Sequence, residues 1–175
     1  YDYDTLASDL HELITQLNLT EVVLVGFSMG GGEVARYLGK YGSDKISKIV
    51  FISSVTPFRL KTADNPNGAE KASFDETIEK IKADRPAFLA EFGKKFYGVD
   101  QKNQAVSNAI LEWNQGLCLM SSAKATIDCV RSFSETDFRN DLAKIKIPVL
   151  IIHGDNDNIV PIKLSGDKTA EIISH

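Results

Sequence analysis

The sequence is short of cysteine, of histidine and of long apolar runs, and each shortage excludes something. Two cysteines, Cys118 and Cys129, occur in 175 residues. Neither belongs to a CxxC pair or has a histidine nearby, so neither a disulfide framework nor a zinc site is expected. A reducing compartment, the cytoplasm, is the corresponding expectation. The longest apolar runs, such as Val22–Val25 and Val149–Ile152, fall far below the roughly 18 residues that a membrane helix needs. Lys plus Arg number 20 against 24 Asp plus Glu, giving a net charge of −4. With no basic run able to track a phosphate backbone, nucleic acid is not an expected partner. Histidine-dependent chemistry has three candidates, His11, His153 and His175. What is present, 43% hydrophobic and 25% charged residues, is the profile of one globular domain.

The order of elements predicts an α/β fold. Leu6, Leu10, Leu13, Ile14 and Leu17 recur at helical spacing behind Asp4 and Thr5, either of which can supply a capping oxygen. Glu21–Val25, Lys48–Ser53 and Pro148–His153 are apolar runs that do not alternate, as expected of parallel strands covered on both faces. Gly26–Gly32 leads from the first strand into a helix that runs to about Tyr41. Between the second and third strands, residues 57–136 read as a helical cap insertion within a single partial domain. Its opening, 61–68, is rich in turn residues. Asn103–Gln115 and Leu117–Arg131 read as two of its helices. The stripe Phe88, Phe92 and Phe96 is expected in the cap's packing core, as are Trp113 and Met120. Cys118 and Cys129 are expected as buried thiols. Three parallel strands alone would leave long apolar edges unpaired, so the chain, which opens with Tyr1 rather than Met, is expected to be an excerpt lacking strands.

Gly26-Phe27-Ser28-Met29-Gly30 matches G-x-S-x-G, directly after a strand and directly before a helix, the context that makes the match informative. A serine there occupies a sharp, strained turn that lifts its hydroxyl above the sheet, and Gly26 and Gly30 are expected to remove collisions with that turn. Three successive glycines, Gly30–Gly32, cost about 1 kcal/mol each in a helix relative to alanine. They therefore imply close helix-to-strand packing. The Met29 backbone N–H, at the helix N-terminus, is the candidate oxyanion donor. The third strand leads into His153-Gly154-Asp155-Asn156-Asp157, on a loop at the carboxyl end of a parallel strand, where such folds put functional groups. Asp157 follows Ser28 in the order Ser, then Asp, then His. Asp155 is its rival, and capping of the following helix is the structural alternative for Asp157. His153 precedes the acid and is expected to bond locally, and His11 is expected to be structural.

Taken together, Gly26–Tyr37, Val55–Pro57, Leu60–Pro66, Phe96–Gly98, Phe133–Phe138 and His153–Asp155 resemble the cofactor-free haloperoxidase and aryl esterase branch of the α/β-hydrolase superfamily. The resemblance covers nearly the whole chain. It implies ester hydrolysis and perhydrolysis, with a small ester and water or hydrogen peroxide as partners. It implies no haem, metal or other cofactor, and leaves a homo-oligomer open. It puts the triad acid on Asp157. Dehalogenases and epoxide hydrolases of the superfamily need a carboxylate nucleophile, against which Ser28 argues. The resemblance also implies a catalytic histidine after a further strand, which the 18 residues after Asp157 are too few to reach. It is therefore expected beyond His175, and the second oxyanion donor before Tyr1. The competing expectation is a catalytically incompetent segment whose exposed edges bind a complementary strand.

Overall fold

The computed structural model describes residues 1–100 and 102–173. The chain forms two compact units, one of residues 1–69 with 132–175 and one of residues 70–131.

The first unit is built on a three-stranded parallel sheet, β1 (Val22–Phe27), β2 (Ile46–Ile52) and β3 (Val149–Ile152), in the order β1-β2-β3. The register sets Leu24 beside Ile49 and Ile49 beside Val149, and likewise Gly26 beside Phe51 and Phe51 beside Ile151. Ser47 is the extra residue where the β1–β2 register shifts, and its hydroxyl donates to the Glu21 and Val22 carbonyls. Helix α1 (Tyr3–Gln16) packs on α2 (Met29–Tyr41), and α2 packs on β1 and β2. Asp2, rather than Asp4 or Thr5, caps α1. Its extended backbone lets the carboxylate accept from the Thr5 N–H at 2.8 Å.

The strands are not covered on both faces. The period of 2 along a strand puts Leu24, Gly26, Ile49 and Phe51 on the buried side beneath α2. Val23, Val25, Phe27, Leu150 and Ile152 lie on the other, each about half exposed. An apolar run records that a strand tolerates burial on both sides, and within this unit no described element covers the second face. After β3 come a single 3-10 turn (Ile162–Leu164) and α8 (Gly166–Ile172). The connection between β2 and the second unit carries the Thr62–Asn65 turn, bonded in both directions.

The second unit holds α3 (Lys71–Ala83), α4 (Arg85–Phe96), α5 (Asn108–Leu119) and most of α6 (Ala123–Glu135), which leads through α7 (Arg139–Leu142) to β3. The break between α5 and α6 falls at 120–122, inside the span expected as one helix, and Ser122 marks it by accepting from the Ala125 N–H. Helix α5 starts at Asn108, not Asn103. The unit's buried apolar side chains are Ile78, Ile81, Leu89 and Val130. Phe88, Phe92 and Phe96 do form a stripe, with Phe88 stacked on Phe92 and Phe96 tilted against Phe92, yet Phe92 and Phe96 are exposed rather than central, and Trp113 and Met120 are 64% and 83% exposed. These apolar residues follow the helical period but lie on the outer faces of α4 and α5. Cys118 and Cys129 are half-buried, not fully buried. Among the described residues no helix is long and apolar enough to cross a membrane.

Gly32 is what lets α2 approach its neighbours. A Cβ there would fall 2.5 Å from the Phe138 ring and 2.7 Å from that of Tyr3, two fully packed rings in edge-to-face contact at 4.7 Å. Gly32→Ala is therefore expected to lower stability by about 1–3 kcal/mol through overpacking, although alanine is the better helix former. A urea midpoint equal to or above that of the parent would show that the two rings yield freely.

Candidate active site

Ser28 stands between β1 and α2 with φ 49° and ψ −115°, a left-handed backbone that costs a non-glycine residue about 1–3 kcal/mol. Its surroundings over-determine it. The Ser28 N–H donates to the Ile52 carbonyl at 2.9 Å, and its own carbonyl accepts from Gly31 and Val55 N–H groups, each at 3.1 Å. Two of these three bonds come from β2 and the residues just after it, so the neighbouring strand clamps the turn from both sides. The Ser28 side chain makes no capping bond to α2 and is half-buried.

Met29 is the first residue of α2, so its N–H has no acceptor within the helix, and among the described residues none outside it. The neighbouring carbonyl, that of Met29, accepts from the Tyr3 hydroxyl at 3.1 Å, which pins the first turn of the helix to α1. Sequence reasoning did not single out Tyr3, and nothing in the local pattern separates it from any other aromatic at a helix start.

The two flanking glycines serve different purposes. A Cβ on Gly26 would lie 2.6 Å from the Gly30 carbonyl oxygen and 2.6 Å from the Gly31 Cα. These are main-chain atoms that cannot swing aside. A Cβ on Gly30 would meet nothing within 4 Å, so the expectation that Gly30 relieves a collision is corrected. Its Cβ direction faces open space, and its main chain is what Gly26 must accommodate. Gly31 carries the close helix-to-strand approach, since a Cβ there would be 2.0 Å from Ser54 Oγ and 3.3 Å from the Phe51 ring.

The acid loop follows β3 at the same edge of the sheet. Asp157 Oδ1 accepts from two backbone N–H groups, Ile159 at 2.9 Å and Val160 at 2.8 Å. It thereby shapes its own turn rather than capping the helix that starts further on. Oδ2 lies 3.6 Å from His153 Nε2, beyond a good hydrogen bond. Asp155 is exposed and makes no comparable contacts. His153 is almost fully buried, and its Nε2 sits 2.7 Å from the Val160 carbonyl. Because a carbonyl only accepts, Nε2 carries the proton. The ring is thus engaged within the acid's own loop, the local role read from the sequence. His11 stacks flat on Tyr41 at 4.0 Å, on the α1–α2 side. His175 lies outside the described residues.

Ser28 and Asp157 therefore share one sheet edge, on loops from strands separated only by β2, or about 10 Å at two strand spacings. No hydrogen bond joins either to a triad histidine among the described residues. No three His, Cys, Asp or Glu side chains among them converge as a metal site. Arg59 was also missed. On the segment after β2, its Nη2 donates to the Ile159 carbonyl in the acid turn at 3.1 Å. The available signal was a lone cation inside the otherwise uncharged stretch Val55–Leu60.

A strained serine at a strand-to-helix turn beside a carboxylate loop defines a class, and comparison with known proteins agrees with it. The profile of the alpha/beta hydrolase fold matches residues 1–175, and the chain belongs to that family. It is similar to a provisionally named non-haem chloroperoxidase of Synechocystis sp., 51% identical over 93% of this chain and 59% of that protein. The bifunctional esterase/perhydrolase of Acinetobacter calcoaceticus is 39% identical over 100% of this chain and 64% of that one. The crystal structure of a bromoperoxidase from Bacillus anthracis superposes with a TM-score of 0.93 at 47% identity, covering 99% of this chain and 63% of the other. The chain thus spans about 60% of the length of these relatives.

The glycine geometry makes an asymmetric prediction. Gly26→Ala is expected to destabilise by about 1–3 kcal/mol, whereas Gly30→Ala should stay within about 1 kcal/mol of the parent or stabilise slightly. Thermal denaturation of the two variants side by side checks it, and equal losses would contradict the assigned division of roles.

Proposed function

We propose that this chain carries the nucleophile and acid of a serine hydrolase that cleaves small carboxylic esters through an acyl-enzyme. The observation that carries the reading is the Ser28 turn: a costly backbone conformation, held by three main-chain bonds, beside a helix N-terminal N–H that no group among the described residues accepts. Ser28 Oγ attacks the ester carbonyl and its proton passes to a histidine other than His11 and His153. The carbonyl oxygen, now negative, is met by the Met29 N–H. The tetrahedral adduct collapses, the alcohol leaves with the proton, and the acyl group stays on Ser28. Water then attacks the ester so formed and releases the acid.

Asp157 suits the remaining role. Its Oδ1 is occupied by the turn, while Oδ2 is free to accept the histidine N–H and support the imidazolium. An imidazole hydrogen-bonded at both nitrogens spans roughly 8 Å, which suits loops from strands about 10 Å apart. The names of the relatives support a second outcome for the same intermediate. Hydrogen peroxide replaces water, its oxygen bonds to the acyl carbon, and a peracid leaves as Ser28 is regenerated. The partners are then a small ester and water or peroxide. Two unpaired thiols suit a reducing compartment such as the cytoplasm.

In the full-length gene product, a fluorophosphonate probe should label the parent stoichiometrically and Ser28→Ala not at all, read by intact mass. Hydrolysis of p-nitrophenyl acetate and peracid formation from acetate and peroxide should both fall by at least about a thousandfold in that variant. A label retained in Ser28→Ala would end the nucleophile assignment. Loss of only one of the two activities would show that they do not share an intermediate.

A further inference from the structure

Arg59 is a cation placed where an apolar side chain would pack more cheaply. Its guanidinium is largely enclosed, and among the described residues its Nε has no hydrogen-bond partner, a deficit that is destabilising for a buried donor. Burial pushes the guanidinium's affinity for its proton down, while the nearby Asp157 charge opposes that effect. Arginine stays charged regardless. The one hydrogen bond its side chain makes among the described residues, Nη2 to the Ile159 carbonyl at 3.1 Å, reaches the turn that Asp157 Oδ1 organises through the Ile159 and Val160 N–H groups. The peptide units of that turn are therefore gripped from both ends. Asp157 holds two N–H groups, Arg59 holds the Ile159 carbonyl, and His153 holds the Val160 carbonyl. Nε is shut away from solvent and Nη2 is engaged by the Ile159 carbonyl, so the contact that Arg59 makes at this site is with the acid loop.

We propose that Arg59 is a positioning residue for the acid. It fixes the 157–160 turn so that Asp157 Oδ2 is presented to the triad histidine, and supplies a buried positive charge that keeps the carboxylate from drifting toward alternative donors. The backbone geometry explains why this residue can do so. Arg59 lies on the segment that continues from the carboxyl end of the central strand β2, seven residues past Ile52, and its own carbonyl is fastened by the Ala69 N–H at 2.8 Å. The side chain is thus anchored at its base before it crosses to the acid turn. The proposal rests on the reading of Asp157 as the triad acid.

The test is a double-mutant cycle on the full-length gene product with p-nitrophenyl acetate as substrate. Arg59→Met, which keeps the packing stem, should lower kcat about tenfold and leave KM within about twofold, the size expected of one charge-assisted hydrogen bond. Arg59→Lys, which keeps the charge and one donor, should recover most of that loss. In an Asp157→Asn background, Arg59→Met should cost less than about twofold, because its effect has already been removed. If Arg59→Met yields no folded protein, Arg59→Lys taken through the same two backgrounds decides by the same non-additivity. A full tenfold loss in both backgrounds overturns the proposal, as does wild-type kcat in Arg59→Met or a lysine variant no better than methionine. The underlying reading fails by a different sign, namely esterase activity that Ser28→Ala or Asp157→Asn leaves at the parent's level.

Discussion

The left-handed backbone at Ser28 is the constraint around which the first unit is arranged. A conformation that costs about 1–3 kcal/mol persists only if bonds that a relaxed turn would lose hold it in place, and here those bonds run to β2. For the Ile52 carbonyl and the Val55 N–H to reach Ser28, β1 and β2 must be in register to their last residues, as Phe27 beside Ile52 is. For α2 to start at Met29, Gly26 must let the first helical turn lie on the strand, and Gly31 and Gly32 must let the rest of the helix down onto Ser54, Phe51, Tyr3 and Phe138. A single strained residue thereby fixes a strand register, a helix start and two interhelical distances.

Ser54 extends this platform away from the turn. Its hydroxyl lies 2.8 Å from that of Thr56, and Thr56 lies 2.9 Å from Thr169 on α8, all three fully enclosed. Hydroxyls can donate and accept at once, so such a chain satisfies buried polar groups without charge. It ties the segment that clamps Ser28 to the helix that follows the acid loop. The nucleophile and acid sides of the edge therefore share a common scaffold beneath them.

Much of this was legible in the sequence for a physical reason. Strand, tight turn and helix each leave short-range signatures, and Gly26-x-Ser28-x-Gly30 compresses all three into five residues. The placement of Asp157 on the loop after Val149–Ile152 was legible in the same way, but its bonds to the Ile159 and Val160 N–H groups, which make it rather than Asp155 the residue that shapes the turn, were not. What was not legible depends on long-range placement. The apolar runs of β1 and β3 read as doubly covered, but hydrophobicity reports what a strand tolerates and not what lies above it, and Val23, Val25 and Leu150 face outward. Trp113 has helical spacing, which places it on a face of α5 without saying whether that face is the inner one, and Met120 falls in the break after α5. Gly30 shows the same limit at short range, since the motif names it but only the coordinates show that its Cβ direction is empty.

β2 itself contributes neither the proposed nucleophile nor the proposed acid, yet it controls both. It is the middle strand, so the separation of the Ser28 and Asp157 loops is two strand spacings, a distance set by backbone hydrogen bonding and insensitive to side-chain identity. Its carboxyl end bonds to the Ser28 turn, and the segment beyond it sends Arg59 to the acid turn. Parallel strands all end at one edge, which brings the loops to a common side. The hydrogen bonds from β2 and its continuation then convert that shared side into a defined spacing. A change in β1 or β3 moves one half of the candidate site. A register slip in β2 moves the two halves relative to each other, so the strand with no chemistry of its own is the one whose geometry the chemistry depends on most.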